Sequence, residues 1–186
     1  IDYGIDFHTG GANRSNYPQV RCLLKDLINE ELAKAFNAPF TLDAPFRPNS
    51  LRQSAAKKGK NIIVYEGGES LRFDKHAIEE GIEGTLRLMK HLNMIDWAPD
   101  PKEANIVIWS SSWVRAKTAG LFQSNVKLGD KVAKHQWVGT ITDPFGDFKE
   151  KLKCTQPGYV IGLNNNPVIN AGDALMHIGI DNMCKM

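Results

Sequence analysis

The chain has 186 residues, of which 42% are hydrophobic and 24% charged, and its formal net charge is +2. This composition is typical of a soluble globular protein of one or two domains. The small net charge gives no reason to expect nucleic-acid binding, and no apolar run reaches the roughly eighteen residues that a membrane span needs.

The cysteines bear on the compartment. Cys22, Cys154 and Cys184 are odd in number, far apart and without a Cys-x-x-Cys spacing. Such cysteines indicate unpaired thiols and favour a cytoplasmic location.

Residues 1–98 alternate between strand and helix patterns, which predicts an α/β sheet domain. The predicted elements are a strand at 3–8, a helix at 18–36, a loop at 37–49, a short helix after Ser50, a strand at 61–66 and a helix at 74–93. In the last helix, Asp74 is the expected N-cap, and the stripe through Ile78, Ile82 and Leu86 is expected to face the core.

From residue 104 onward the pattern changes to short strands and turns, after a Pro-rich linker at 97–101. This segment, 104–186, contains an internal repeat in which a strand leads through a Gly-Asp turn to another strand, around Gly129-Asp130 and again around Gly172-Asp173. Two such copies facing each other predict a small all-β barrel.

Two apolar runs each stop at one reactive side chain followed within two residues by glycine, and these are His8 and Glu66. Buried strands deliver side chains into a cleft in this way, so the pair suggests a metal ligand and a general base. The alternatives are a histidine bonded to backbone and a carboxylate that caps the amides of the glycine turn. Glu69 is expected to cap or to form a salt bridge.

Four motifs in order resemble the succinylglutamate desuccinylase and aspartoacylase family of zinc hydrolases, whose catalytic domain is like that of zinc carboxypeptidases. They are Asp6-Phe7-His8-Thr9-Gly10-Gly11, Arg14-Ser15-Asn16-Tyr17-Pro18-Gln19-Val20-Arg21, Ser50-Leu51-Arg52 and the segment 65–74. The resemblance implies a partial zinc-carboxypeptidase-like α/β domain at 1–98, followed by a barrel-sandwich, lipoyl-like domain at 104–186.

The resemblance also implies the site. His8 matches the last of three zinc ligands, and Glu66 matches the base that deprotonates a metal-bound water during hydrolysis of an amide. Arg14 and Arg52 are the expected ligands of the substrate carboxylate, because a guanidinium makes two parallel hydrogen bonds to such a group. Arg21, on the helix predicted at 18–36, is expected to face solvent or to support the site. The implied substrate is a small N-acyl amino acid.

The family's first two zinc ligands stand in a His-x-x-Glu segment upstream of the matching histidine, so the chain resembles the carboxyl-terminal half of such a protein. Association with the missing amino-terminal segment, or a homo-oligomer, is therefore expected. His76 and Glu79 have the same spacing. They are expected on a solvated helix face, because His76 lies opposite the stripe through Ile78 and beside Glu80.

Two other functions remain open from the sequence. The chain could be a non-catalytic fragment that binds a partner through its sheet edge or its barrel. It could also be an acyl or biotin carrier, although Asp143-Pro144 occupies the turn where a modified lysine is expected and Lys149 lies beyond it.

Overall fold

The computed structural model describes residues 1–181 and shows a mixed α/β fold, as predicted. The three helices are α1 (Leu27–Phe36), α2 (Leu51–Ala56) and α3 (Lys75–His91). The strands are β1 (Tyr3–Gly10), β2 (Arg14–Cys22), β3 (Phe40–Asp43), β4 (Asn61–Glu69), β5 (Ile106–Ile108), β6 (Ser111–Arg115), β7 (Gly120–Ser124), β8 (Lys131–Val132), β9 (Trp137–Thr142), β10 (Lys149–Lys153), β11 (Gly158–Asn164), β12 (Val168–Ile169) and β13 (Ala174–Ile180).

One nine-stranded sheet runs through most of the chain, with the central order β1-β4-β2-β11-β13-β6. Strand β3 pairs with β2 and β5, and β8 pairs with β11. Helices α1 and α3 cover one face of this sheet, where Val20, Ile63 and Tyr65 pack against Phe36 and Leu88. The opposite face of β1, β4 and β2 carries polar side chains, Asp6, His8, Arg21 and Glu66, together with Val64, and these line the cleft described below.

The predicted helix at 18–36 is wrong in its first part, because residues 14–22 form the central strand β2. Pro18 lies within the irregularity between Asn16 and Gln19, where the pairing with β4 shifts register. A bulge is a position in a sheet at which proline is tolerated. The helix begins only after Asp26, whose carboxylate accepts a hydrogen bond from the Asn29 amide.

Helix α3 exists as predicted, with Asp74 as its N-cap, but its expected orientation is wrong. Ile78 and Ile82 are 44% and 57% exposed, whereas Glu80 is only 2% exposed. Buried Glu80 is paired with buried Arg87, at 3.4 Å between Oε2 and Nη2. Because the two charges are paired, this face of the helix can be buried against the sheet. Gly84 has no side chain, so the Phe36 ring can approach the helix closely.

The predicted barrel is not confirmed, since the described residues show no closed barrel. Strands β10, β9, β7 and β12 form a separate four-stranded sheet, which packs against part of the large sheet. Phe122, Val138 and Ile141 from the small sheet share one core with Val160 and Leu175 from the large sheet.

The internal repeat is visible in matching turns. The Lys127 amide donates to Asp130 and the Asn170 amide donates to Asp173, in both cases at 2.8 Å. Strand β8 of the first copy pairs with β11 of the second, and β12 of the second pairs with β7 of the first. The two copies therefore exchange short strands.

The division into 1–98 and 104–186 stays a prediction, and the sheet crosses it in two places. Strand β5 pairs with β3, and β11 pairs with β2 through residues 162–164 and 14–16. Residues 182–186 lie outside the described part of the chain, and Cys184 with them. Cys22 and Cys154 are free and buried, as expected of unpaired thiols. None of the helices in residues 1–181 combines the length and apolarity needed to cross a lipid bilayer.

Candidate active site

His8 and Glu66 lie side by side on the polar face of the large sheet. Strands β1 and β4 run parallel, and these two residues are direct register partners. Register partners on neighbouring strands project from the same face, and the strands are about 4.8 Å apart. Both side chains line one cleft of about 500 Å³. The sequence prediction that they meet at one site agrees with this placement.

His8 is oriented by a carboxylate from its own strand. Nε2 of His8 lies 3.0 Å from Oδ2 of Asp6, two residues earlier on the same face of β1. A carboxylate that holds one ring nitrogen fixes the tautomer and directs the other nitrogen elsewhere. This contact leaves Nδ1 of His8 as the nitrogen available to a ligand.

Glu66 is held through one of its two oxygens. Nδ2 of Asn16 donates to Oε2 at 2.7 Å, and Nη2 of Arg21 lies 3.2 Å from the same atom. Among the described residues, Oε1 has no hydrogen-bond partner. The carboxylate is thus anchored on one side and open on the other, which is the arrangement a proton acceptor needs.

Three arginines line the same cleft, namely Arg21, Arg47 and Arg52. Arg21 belongs to strand β2, so its expected place on a helix face is wrong. Burial lowers the pKa of the Arg21 guanidinium, while Glu66 opposes that change and Arg47 adds to it. The cleft therefore concentrates positive charge beside Glu66.

The two arginines predicted to bind substrate are placed differently. Arg52 lines the cleft, but its guanidinium donates to the carbonyl oxygens of Arg21, Ala44 and Pro45, and so ties the loop before α2 to β2. Arg14 is not among the residues that line the cleft. Its guanidinium carbon lies 5.5 Å from the centre of the Trp113 ring.

Next to this cleft, strands β13 and β6 place an aromatic pair on the same face. His177 stacks on Trp113 with ring centres 4.4 Å apart and planes 4° from parallel. Burial, and secondarily the charge of Arg21, lower the pKa of His177 to about 3, so the ring is neutral at physiological pH. Its Nε2 is 2.8 Å from the Ser111 hydroxyl.

Residues 1–181 contain no group of three or more histidine, cysteine, aspartate or glutamate side chains that could hold a metal ion. His76 and Glu79, which have the spacing of a ligand pair, do not form one. The His76 ring packs edge-on against Tyr17, with its Nε2 3.8 Å from Glu103. Glu79 pairs with Lys75 and Lys102.

The sequence prediction missed Asp6, Asn16 and Arg47 as parts of the site. Asp6 could have been found, because a residue two positions before His8 lies on the same face of a strand. Asn16 and Arg47 gave no such signal. The placement of Asn16 depends on the bulge in β2, and the placement of Arg47 depends on the path of the loop before α2. Glu69 forms the expected salt bridge, to Arg72 at 3.2 Å.

The comparison with solved structures supports the fold. The product-bound ectoine utilization protein EutE (DoeB) from Ruegeria pomeroyi superposes with a TM-score of 0.83 at 20% identity, covering 97% of this chain and 58% of that protein. A succinylglutamate desuccinylase/aspartoacylase from Rhodobacter sphaeroides gives the same four values. An aspartoacylase family protein from Mesorhizobium loti has a TM-score of 0.76 at 14% identity, covering 98% and 58%.

The chain thus spans about 58% of the length of these structures. No curated protein matches it significantly. The sequence profile of the succinylglutamate desuccinylase/aspartoacylase catalytic domain matches residues 1–92, the part that carries His8, Glu66 and the arginines of the cleft. Over these residues the predicted resemblance to the succinylglutamate desuccinylase/aspartoacylase family is confirmed.

Proposed function

We propose that this chain forms part of a zinc-dependent deacylase that hydrolyses the amide bond of a small N-acyl amino acid. The match of residues 1–92 to the catalytic-domain profile of the succinylglutamate desuccinylase/aspartoacylase family suggests a hydrolase. The observation that carries the proposal is the pairing of His8 and Glu66 in one cleft that three arginines also line.

Glu66 is proposed as the general base, through its unpaired Oε1. It takes a proton from a water molecule while the water oxygen attacks the amide carbon. The same proton then passes to the nitrogen of the leaving amine as the C–N bond breaks, and the second proton of the water stays on the new carboxyl group, so that the products are a carboxylic acid and an amine, which ionise in water to a carboxylate and an ammonium group. Asn16 and Arg21 keep the other oxygen in place meanwhile.

The residues of this chain fit a zinc ion only in part. His8, oriented by Asp6, would supply one ligand, whereas a catalytic zinc site needs about three protein ligands. Residues 1–181 offer no complete set. We therefore propose that the remaining ligands come from polypeptide outside this chain's residues, and we assign no reaction step to the metal.

The substrate class follows from the charge of the cleft. A free carboxylate on the substrate would balance the arginines, and Arg47 is the candidate whose guanidinium has no described ion pair or hydrogen bond. The Arg52 guanidinium donates hydrogen bonds to three carbonyl oxygens, so this residue contributes to the shape of the cleft as well as to its charge. The proposed role of Arg14 would require substrate to extend toward Trp113.

Replacement of the base tests the proposal. In the complete gene product, Glu66→Gln is expected to lower kcat by about 10²- to 10⁴-fold on N-acyl amino acids, with the folded structure kept. Glu69→Gln, the same change three residues along β4, serves as the control and is expected to leave kcat nearly unchanged. Full activity of the Glu66→Gln protein would overturn the assignment.

A second proposal concerns assembly and rests on a different surface. An apolar cleft of about 500 Å³ lies beside β1 and α3, lined by Phe7, Tyr65, Ile78, Ile82 and Leu86 among others. We propose that polypeptide carrying the rest of the family fold covers this face, because the chain spans about 58% of the solved structures. A monodisperse monomer of residues 1–186 that fails to bind a hydrophobic dye would contradict this proposal. The cytoplasmic location stays a prediction, and the carrier function stays an alternative.

A further inference from the structure

The Asn16 side chain, which donates to Glu66, belongs to a row of register partners that extends into the carboxyl-terminal strands. Asn16 on β2 lies opposite Gly162 on β11, Gly162 lies opposite His177 on β13, and His177 lies opposite Trp113 on β6. Residues paired in this way share one face of the sheet. The row therefore continues the face that carries Glu66, across strands outside the family's catalytic-domain match.

Asn16 is the member of the row that contacts Glu66. The 2.7 Å distance between Nδ2 and Oε2 is that of a short hydrogen bond to a charged acceptor. Asn16 is buried, so water does not offer the carboxylate an equivalent donor at this point. The amide thereby determines which oxygen of Glu66 is held and which remains open.

Gly162 leaves the space in which the Asn16 side chain sits. A Cβ atom added at position 162 would lie 3.1 Å from Oδ1 of Asn16 and 3.1 Å from Cβ of His177. Both distances are tighter than ordinary van der Waals contact, so one neighbour would have to move.

His177 cannot readily be the neighbour that moves. Its Cβ belongs to strand β13, which is paired on both sides, and the residue is only 6% exposed. Its ring is stacked on Trp113 and hydrogen-bonded to Ser111. The Asn16 amide, at the end of a side chain, is the softer of the two contacts. A methyl group at position 162 would accordingly push the amide and weaken its hold on Glu66.

We infer that Asn16 is a positioning residue for Glu66, and that Gly162 on strand β11 is required for it to occupy that position. The inference rests on the proposed role of Glu66 as general base. By this inference the carboxyl-terminal strands help to arrange the reaction centre, although Gly162 acts only through Asn16 and does not itself contact Glu66.

A double-mutant cycle in the complete gene product separates positioning from a general loss of structure. Asn16→Ala is expected to lower kcat by about 10- to 100-fold with little change in KM, a loss typical of supporting residues around a reactive group. In a Glu66→Gln background the same change is expected to add nothing, because the group it positions is gone. Independent, multiplying losses would overturn the inference.

Gly162→Ala tests the remote position, with Gly11→Ala as its control because a Cβ at Gly11 meets nothing within 4 Å. The first variant is expected to lower kcat and to show the Asn16 amide displaced from Glu66 in a crystal structure; the second is expected to do neither. A Gly162→Ala structure that keeps the 2.7 Å contact would refute the inference whatever the activity. If instead the Glu66→Gln protein is fully active, the proposed function fails first, and the structural readout still decides the placement of Asn16.

Discussion

Arg21 and Glu66 form an ion pair across strands β2 and β4, with Nη2 and Oε2 3.2 Å apart and each side chain less than one fifth exposed. A pair this far from water is costly to break on one side, because the remaining charge keeps its desolvation penalty. The pair is therefore important to the stability of the site as well as to its chemistry.

Arg21→Met removes the cation and keeps most of the apolar stem. Because Glu66 would keep only Asn16 as a donor, we expect the free energy of unfolding to fall by about 2–3 kcal/mol, measured by urea denaturation. Lys60→Met breaks the exposed pair with Asp2 and is expected to change the free energy of unfolding very little, because solvent screens that pair. Equal losses of unfolding free energy in the two variants would show that the buried pair stabilises the protein no more than the exposed pair does.

Arg47→Ala addresses substrate binding. If Arg47 binds a free carboxylate of the substrate, its loss should raise KM by about tenfold or more for an anionic N-acyl amino acid and leave kcat within a few fold. An exposed arginine outside the cleft, Arg72, provides the control. Steady-state kinetics on a substrate and its uncharged amide analogue distinguish the cases, and an equal effect on both substrates would speak against carboxylate binding.

His177 should make the protein acid-sensitive. Its pKa is lowered to about 3 in the folded protein, against about 6.5 when unfolded, so the unfolded state binds the additional proton between these values. Stability from this residue is unchanged above about pH 6.5 and decreases as pH falls toward 3, by at most about 1.4 kcal/mol per pH unit.

Chemical denaturation at several pH values tests the effect. His177→Gln should flatten the slope of unfolding free energy against pH between about 6.5 and 4, relative to the parent protein. His135→Asn is the control, since His135 is exposed and its positive φ of 65° suits asparagine. Identical slopes in the parent and the His177→Gln variant would disprove the prediction.

Gly84 should resist substitution although it lies within a helix. Alanine normally stabilises a helix interior relative to glycine by about 1 kcal/mol. A Cβ at Gly84, however, would collide with the Phe36 ring. We expect Gly84→Ala to lower the free energy of unfolding by about 1–3 kcal/mol through overpacking.

Gly81→Ala on the same helix is the matched variant, because its nearest neighbour would be a Tyr65 ring carbon at 3.2 Å. It should cost less than Gly84→Ala in the same thermal or urea assay. A stabilised Gly84→Ala protein would mean that α1 and α3 can separate without penalty.

The sequence predicted the parts of the site that short-range patterns encode. An apolar run ending in one polar residue singled out both His8 and Glu66, which line a common cleft, and their roles as metal ligand and base stay predictions. The N-cap at Asp74 was equally local, and its side chain accepts the expected amide hydrogen bond. The remaining parts of the site are brought together by strand pairing. Pairing between distant segments leaves little trace in a single sequence.

The errors share a physical origin. The apolar stripe of α3 predicted a core face, yet the pairing of Glu80 with Arg87 made the charged face the inner one, and Ile78 lies in an apolar cleft open to solvent. In the same way, the helix predicted at 18–36 extended into residues that form β2. Tertiary contacts override local periodicity when a buried charge finds a partner or a proline fits a bulge.

The pairing of residues 14–16 with 162–164 also has a kinetic meaning. The central strand cannot complete its hydrogen bonds until β11 has been synthesised, so a ribosome-bound nascent chain exposes an unfinished β-edge while the residues between β2 and β11 are made. Such sequence-distant closure slows folding and invites intermolecular strand pairing in the meantime. Recovery of native protein should consequently depend on chaperones that shield β2 until β11 arrives.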